Sequence, residues 1–289
     1  MSTALVSVLA GLAGMFGWGL YDFLGGVYAK RIGPYRSFFW SQLAGLALAL
    51  ILALVFATHL TGPSQVAPLL PIAAILYSAG YLFFFRGLEI GNVSIVAATM
   101  NLWAVLTMLF AFIFLGQRLT TTQSFGVLLI LSGVTLASAD WGTVRRQGFR
   151  LSSGVKEAVL GAFFFGIFWN ISEVTSEAIG WVSTTLLVKI GIVLFLLLFS
   201  LLAKRELAIS RVTTKTRTMV VIMGIVEATA VAAVNYGLTI GDAILITPIA
   251  SALSIVTITL AIVFLKERVT RLQGFGMIAA VAGIVTTAL

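Results

Sequence analysis

The sequence is poor in charge. Only 10% of its 289 residues are Asp, Glu, Lys or Arg, whereas 60% are hydrophobic and the mean hydropathy is +1.10. Soluble globular domains carry about 25% charged residues, so the composition excludes a soluble domain of this length. A bilayer is spanned by about 20 apolar residues in a helix, and such segments account for nearly the whole chain. We therefore predict an integral membrane protein, multi-pass in the plasma (inner) membrane, with the lipid bilayer as its surroundings.

The sequence also lacks the residues of metal and cofactor chemistry. It has no cysteine and a single histidine, His59. Neither a GxxxxGKS/T phosphate loop nor an HExxH metal motif occurs. We expect no metal, no cofactor and no catalytic constellation, and hence no enzyme, including one embedded in the membrane. The net charge of +8 is explained by loop lysines and arginines beside anionic lipid rather than by a nucleic-acid partner.

Ten apolar segments predict ten transmembrane helices and an all-α fold. They lie at about 4–28, 35–58, 67–87, 93–115, 121–139, 156–178, 181–203, 217–238, 243–264 and 270–288.

The chain repeats itself at an offset of 150 residues. The segment FLGQRLTTTQSFG at 114–126 matches FLKERVTRLQGFG at 264–276, with arginine, glutamine, threonine and glycine in register. We predict a first five-helix repeat at 1–140, a polar linker at 141–153 and a second repeat at 154–289. Because five is odd, the second repeat is expected to be inverted relative to the first, as in many secondary transporters.

An acid lies inside the first predicted helix. WGLYDF at 18–23 corresponds, at an offset of 151, to WNISEV at 169–174. Trp18 and Asp22 are four residues apart, as are Trp169 and Glu173, so each pair shares one helix face. A charge in hydrocarbon is costly, and an aromatic ring beside a carboxylate suits an organic cation. The two pairs predict a site between the repeats.

These features resemble the drug/metabolite transporter superfamily, EamA type. The resemblance rests on ten helices in two repeats and on the FLxER segment that ends the fourth helix of each repeat; Gln117 departs from it where the second copy has Glu267. The resemblance implies a central cavity lined by helices 1–4 and 6–9, with helices 5 and 10 peripheral. Substrates in the family include amino acids, sugars, nucleotides, amines and drugs, so membership alone identifies none.

Two further charges are predicted within the membrane. Glu227 lies near the middle of the eighth predicted helix, where an acid is either functional or a protonated structural group. Lys189, in the seventh, is expected at the depth of Glu173, because both are similarly far from the turn at Gly180. An ion pair between Glu173 and Lys189 would hold the hairpin together, or open when a substrate or proton binds.

The remaining candidates are less specific. Arg86 either snorkels to the lipid headgroups or clamps a carboxylate or phosphate. Asn101, Asn170 and Asn235 either hydrogen-bond across helices or line the cavity. Pro248 predicts a bend in the ninth helix.

The orientation is left open. The predicted loops place all lysines and arginines except Arg118 and Lys189 on one side. The positive-inside rule then puts both termini outside, whereas the family resemblance suggests both termini inside.

We expect secondary transport of a small molecule by alternating access. Asp22, Glu173 or Glu227 would alternate between a proton and the substrate, because removal from water favours the neutral form of a carboxyl group. Three acids against one lysine favour amino acids or organic cations. Anionic or sugar-type metabolites, and a flippase or scramblase for lipid headgroups, are the alternatives. Two fused repeats suffice for one pathway, so a functional monomer is expected.

Overall fold

A computed structural model describes residues 2–56, 63–90, 96, 99–138, 154–209, 212–266 and 269–288. These residues form helices and connections, and no strand occurs among them. The helices are α1 (Thr3–Ile32), α2 (Pro34–Val55), α3 (Leu69–Ile90), α4 (Leu102–Phe114), α5 (Thr121–Ser138), α6 (Val155–Ile179), α7 (Trp181–Leu202), α8 (Thr214–Leu238), α9 (Ala243–Ser251), α10 (Leu253–Leu260) and α11 (Arg271–Thr287).

The helices have the length and surface of membrane spans. Eight apolar segments are long enough to cross a bilayer, with α9 and α10 counted together as Ala243–Leu265, while α4 and α11 are shorter. Large apolar side chains point outward, among them Leu54 at 81% and Leu201 at 77% exposure. Such a surface is stable in lipid and not in water. Within the described residues the prediction of an all-helical fold is confirmed, and the segments are those of a membrane protein. The predicted spans match these segments, except that residues 57–58, 93–95, 97–98 and 139 of these spans lie outside the described residues.

The ninth predicted span is broken. Helix α9 contains Pro248 and ends at Ser251; Ala252 forms a turn and α10 follows. The chain then forms one π-helical turn at Ala261–Leu265. Proline removes one hydrogen bond of the helix ladder and crowds the preceding turn, whereas the interruption lies after Pro248, at Ala252. The ninth predicted helix is thus interrupted, but at Ala252 and not in the turn that Pro248 perturbs directly.

Helices α5 and α11 cross through glycines. A Cβ on Gly133 would lie 2.5 Å from the Ala280 nitrogen and 2.6 Å from the Gly276 oxygen, and a Cβ on Gly126 would lie 2.8 Å from the Gly283 oxygen. Residues early in α5 therefore meet residues late in α11, and the two helices run antiparallel. Backbones this close leave no room for a side chain.

Small residues also bring together the helices that carry the candidate site. Helix α1 packs on α8, where a Cβ on Gly17 would lie 2.5 Å from the Ala230 Cβ, and α3 packs on α6, where Gly80 faces the Phe165 ring. Helix α1 also contacts α9 and α10, and α4 contacts α6. These contacts place Trp18 and Asp22 of α1 opposite Trp169 of α6.

Candidate functional site

A cavity of about 280 Å³ lies between the halves of the chain. Its wall is formed by Trp18, Asp22, Tyr77, Tyr81, Phe84, Met100, Asn101, Trp103, Ala137, Ser138, Phe165, Trp169, Leu253, Ser254, Thr257, Ile258 and Gln273. The family resemblance implied a lining from helices 1–4 and 6–9, and this expectation is wrong in part. Helices α5 and α11 contribute wall residues, whereas α2, α7 and α8 contribute none in the described part of the chain, because they pack behind α1, α3 and α6.

Three tryptophans form one side of the cavity. The ring centroids of Trp18 and Trp169 are 5.1 Å apart, and Trp103 lies 6.3 Å from each. All three side chains are largely buried, with exposures of 3–7%. The structure thus brings together the two tryptophans that the repeat related by sequence. Their faces carry the negative part of the ring quadrupole, which attracts a cation.

A second aromatic group continues the wall along α3 and α6. The rings of Tyr77 and Tyr81 are 5.1 Å apart, and Phe165 lies 5.4 Å from Tyr77 and 5.0 Å from Tyr81. With the tryptophans they enclose a space that is apolar on most sides. A pocket of this kind suits a small organic molecule with a few polar anchoring points.

Asp22 is the charged residue of this wall. Among the described cavity-lining residues it alone carries a formal charge. Its side chain is partly accessible, and no hydrogen bond or ion pair joins its carboxyl group to another described residue. In a pocket of low dielectric constant, a carboxylate and a cation attract each other more strongly than they do in water. Asp22 is therefore the group in the cavity that is available to a ligand.

The Glu173–Lys189 ion pair predicted from depth is wrong. Lys189 instead forms a salt bridge with Glu227 and donates a hydrogen bond of 2.6 Å to Gln42 Oε1. Equal depth along a hairpin gives the position of a residue along the helix axis, but not the direction in which its side chain points around that axis. Around the helix axis Lys189 turns toward α2 and α8, while Glu173 turns toward α9.

Glu227 lies behind the cavity wall rather than in it. The Tyr77 hydroxyl, whose ring lines the cavity, donates a hydrogen bond to Glu227 Oε1. Glu227 and Lys189 expose at most 1% of their side chains. Gln42 Oε1, Lys189, Glu227 and Tyr77 therefore form one buried chain of polar contacts that ends at the cavity surface.

Glu173 lies at the opposite end of the site from Asp22. Its Oε1 accepts hydrogen bonds from Gln117 Nε2 at 2.6 Å and from the Ala243 backbone N–H at 3.2 Å. Gln117 Oε1 in turn accepts from the Ile244 N–H at 3.0 Å. Together Glu173 and Gln117 accept hydrogen bonds from free N–H groups at the start of α9.

The three candidate asparagines differ in position. Asn101 lines the cavity and donates to Ser138 Oγ at 3.2 Å. Asn170 donates to the Thr107 and Gly166 backbone oxygens, at 3.2 and 2.8 Å. Asn235 donates to Thr185 Oγ1 and accepts from Ser172 Oγ, both at 2.9 Å. Asn170 and Asn235 thus link helices, and Asn101 is the one that faces the cavity.

Arg86 does not reach the central cavity. It is exposed and forms a salt bridge of 2.8 Å with Glu89, one turn later on α3. Both residues line a second cavity of about 590 Å³, at the ends of α3 and α7 and the start of α2. Its other charged residues are Arg36, Lys204, Arg205 and Glu206.

Three residues of this arrangement were not among the sequence-based candidates. Gln42 and Tyr77 contact the buried charges, and Gln117 binds Glu173. A glutamine within an apolar helix was a usable signal for Gln42. Gln117 is the residue at which the first repeat departs from the FLxER segment. Its amide donates a hydrogen bond to Glu173, so the departure was a usable signal as well.

Comparison with known protein families bears on the fold and on the function. The model of the EamA-like transporter family matches residues 5–139 and again residues 152–289. The chain belongs to the EamA-like transporter family. It is therefore an integral membrane protein of the drug/metabolite transporter superfamily, and this membership points to a transporter rather than an enzyme.

Two relatives illustrate the similarity. A protein of Methanocaldococcus jannaschii described as uncharacterized is 26% identical over 138 residues, which are 48% of this chain and 98% of the relative. That relative is thus about as long as one of the two family matches. A protein solved by crystallography shares the fold, with a TM-score of 0.81 at 17% identity over 97% of this chain and 96% of its own.

Proposed function

We propose that this EamA-family protein is a secondary active transporter of organic cations or zwitterionic amines, including amino acids, in the plasma (inner) membrane. The observation that carries the proposal is the Asp22 carboxyl group, which lines an aromatic cavity and has no partner among the described residues. An ammonium group bound there would contact Asp22 and the faces of Trp18 and Trp169. The remaining wall would hold the apolar part of the substrate.

In many secondary transporters, alternating access involves two halves that are inverted repeats of each other. The antiparallel crossing of α5 and α11 supports an inverted repeat. Gly126 contacts Gly283, and Gly133 contacts Gly276. The offset of 150 relates Gly126 to Gly276 and Gly133 to Gly283, so it converts the first contact into the second. Such reciprocal contacts are expected across a two-fold axis. One chain then supplies both halves of the pathway, which supports a functional monomer.

Proton coupling is proposed to involve Asp22. A carboxyl group that binds either a proton or an ammonium group, but not both, exchanges one for the other. Glu227 is less suited to this role because Lys189 and Tyr77 already occupy its oxygens. Competition at a single acid gives antiport of proton and substrate without any further cofactor.

Transport by purified protein in proteoliposomes tests the proposal. The panel comprises radiolabelled amino acids, amines, quaternary ammonium ions, sugars and organic anions, each with and without a pH gradient. We expect uptake of cations or zwitterions that is driven by the gradient and lost in Asp22→Asn. Glu177→Gln is the matched control, because Glu177 is an exposed acid outside the cavity. Uptake restricted to anions or sugars, or unchanged uptake in Asp22→Asn, would contradict the proposal.

The second cavity favours a different candidate function, transfer of lipid headgroups. Four basic residues line it, of which Arg36 pairs with Glu206 and Arg86 with Glu89, so that Lys204 and Arg205 give it a positive excess. Basic pockets between membrane helices bind anionic headgroups. Fluorescent phospholipids in the same proteoliposomes distinguish the two functions. A protein that transfers lipid exposes inner-leaflet label to an impermeant bleaching reagent. Inner-leaflet label that becomes protected in Arg36→Gln/Arg86→Gln, with amine uptake retained, would separate lipid transfer from solute transport.

A further inference from the structure

Side-chain contacts between separate segments lie at one end of the bundle, outside the described cavity wall. We call this the Gly180 end; it contains the turn at Gly180, the connection after α4 and the start of α9. Three separate segments meet there, because Gln117 contacts both Glu173 of α6 and the first residues of α9. Glu173 and Gln117 are absent from the cavity wall, whose lining residue Trp169 lies one turn before Glu173. We call this set of contacts the Gln117–Glu173 latch.

The same end contains buried polar atoms that lack partners. Glu173 Oε2, Ser176 Oγ, Ser183 Oγ and Thr184 Oγ1 are buried, and none of them forms a hydrogen bond with a residue that the structure describes. They belong to the two helices that flank the turn at Gly180. Buried polar atoms nearly always have a partner, and each one without a partner is destabilising. A second state in which water reaches this end would satisfy all four atoms.

The repeat relates Glu173 to Asp22. Asp22 occupies the equivalent position at an offset of 151, yet the two acids are in opposite states. Glu173 exposes 1% of its surface and accepts two hydrogen bonds, whereas Asp22 is partly accessible and lines the cavity. In an inverted repeat, exchanging the conformations of the two halves exchanges the two membrane faces. The free and the bound acid are then expected to exchange roles.

We propose that the Gln117–Glu173 latch is the closed gate of the transport pathway at the Gly180 end, and that Gln117 is a positioning residue whose side chain holds Glu173 against α9. When the latch opens, Glu173 and the unpartnered hydroxyl groups become accessible to water from the Gly180 end. The cavity closes at the other end in the same transition. This inference rests on the proposed transport function, because a gate is needed only where a pathway alternates.

Cysteine labelling tests the gate, and the natural absence of cysteine provides the background. Ser183→Cys reports on the Gly180 end and Ser138→Cys on the cavity wall. Each is labelled with a membrane-impermeant maleimide in vesicles of both orientations. Gln117→Leu removes both side-chain hydrogen bonds of the latch at similar volume. We expect Ser183→Cys labelling to rise roughly three- to tenfold, the factor for losing a hydrogen bond of ordinary strength, while Ser138→Cys labelling falls.

The controls separate gating from damage. Glu177→Cys is exposed already and should label equally fast with and without Gln117→Leu. Thermal unfolding shows whether Gln117→Leu folds; if it does not, Glu173→Leu, which loses both hydrogen bonds accepted by Glu173 Oε1, replaces it in the same assay. Unchanged Ser183→Cys labelling, or faster labelling of both reporters, would overturn the gate. Labelling needs no substrate, so it tests the gate independently of transport. The gate proposal can be contradicted while amine transport is observed, and amine transport can be absent while the labelling result supports the gate.

Discussion

Lys189 of α7 forms a salt bridge with Glu227 of α8 in the interior of the membrane domain, where the two side chains expose 1% and 0% of their surface. Each charge is removed from water, and each depends on the other for compensation. The pair is not isolated, since Gln42 and Tyr77 occupy further donor and acceptor positions on it. A buried pair of this kind contributes little net stability, but breaking one half of it is strongly destabilising.

Neutralising one member of the pair should therefore lower stability more than neutralising both. We expect Lys189→Met to reduce the free energy of unfolding by about 3–5 kcal/mol, because Glu227 is left as an uncompensated buried charge. Lys189→Met/Glu227→Gln should be more stable than Lys189→Met, since glutamine still accepts the Tyr77 hydrogen bond. Thermal unfolding in detergent is measured for the wild type, Lys189→Met, Glu227→Gln and the double variant. Strictly additive losses would contradict coupling between the two residues.

An exposed ion pair gives the matched comparison. Arg86 and Glu89 bond through side chains that are 60% and 66% exposed. Exposed pairs contribute only about 0–1 kcal/mol. Arg86→Met should therefore leave the melting temperature nearly unchanged under the conditions in which Lys189→Met lowers it.

Cation binding at Asp22 should depend on pH. A proton on the Asp22 carboxyl group removes the charge that attracts a cation, so affinity for a permanently charged quaternary ammonium ion should fall as the pH is lowered. Isothermal titration calorimetry between about pH 5 and 8, a range in which a quaternary ammonium ion itself does not titrate, measures the trend. In Asp22→Asn the affinity should be weak and independent of pH. A wild-type affinity that is flat with pH would remove Asp22 from the proton-exchange role.

The Trp169 ring should contribute to binding of the same cations. Ring faces attract cations by about 0.5–2 kcal/mol, or roughly 2- to 30-fold in Kd. Trp169→Ala should weaken binding by this factor, and Trp169→Phe by less. Trp181→Phe is the control, because Trp181 packs on Phe56 and Tyr236 away from the cavity. Equal effects of Trp169→Ala on a quaternary ammonium ion and on its neutral carbon analogue would show that apolar contact alone is involved.

Much of this site followed from local patterns in the sequence. The spacing of Trp18 and Asp22, repeated at Trp169 and Glu173, predicted that both tryptophans face one space, and their rings are 5.1 Å apart. A repeat is informative because the same spacing of tryptophan and acid occurs at two equivalent positions, and coincidence is then a poor explanation. Hydropathy likewise located the helices, since the bilayer requires long apolar runs whatever their packing.

The partners of the buried charges did not follow from these patterns. Depth along the α6–α7 hairpin placed Glu173 near Lys189, but it left the rotation of each helix undefined. That rotation depends on contacts between residues far apart in sequence, such as Gly45 of α2, whose Cβ would lie 3.1 Å from the Ala228 Cβ of α8 and 3.5 Å from Lys189 Nζ. Gln117 was noted only as a departure from the FLxER segment, yet its amide is the group that donates a hydrogen bond to Glu173.

The crossing of α5 and α11 gives a last prediction, on stability. Gly133→Ala places a methyl group 2.5 Å from a backbone nitrogen and 2.6 Å from a backbone oxygen of α11. Neither atom can move without moving the helix, and overpacking of this kind typically destabilises by about 1–3 kcal/mol. Gly274→Ala, also within the crossing pair but with no atom within 4 Å of the added Cβ, should be neutral or stabilising, because alanine favours the helix over glycine.

Thermal unfolding of Gly126→Ala, Gly133→Ala, Gly276→Ala and Gly283→Ala extends this test to the repeat. If the two helices are related by a two-fold axis, exchanging the repeats maps Gly126 onto Gly276 and Gly133 onto Gly283, so losses within each of these pairs should be similar. A large loss at Gly133 with none at Gly283 would mean that the crossing is asymmetric, and that the reciprocal contacts do not support an inverted repeat. Similar losses within both pairs would add an energetic argument to the geometric one.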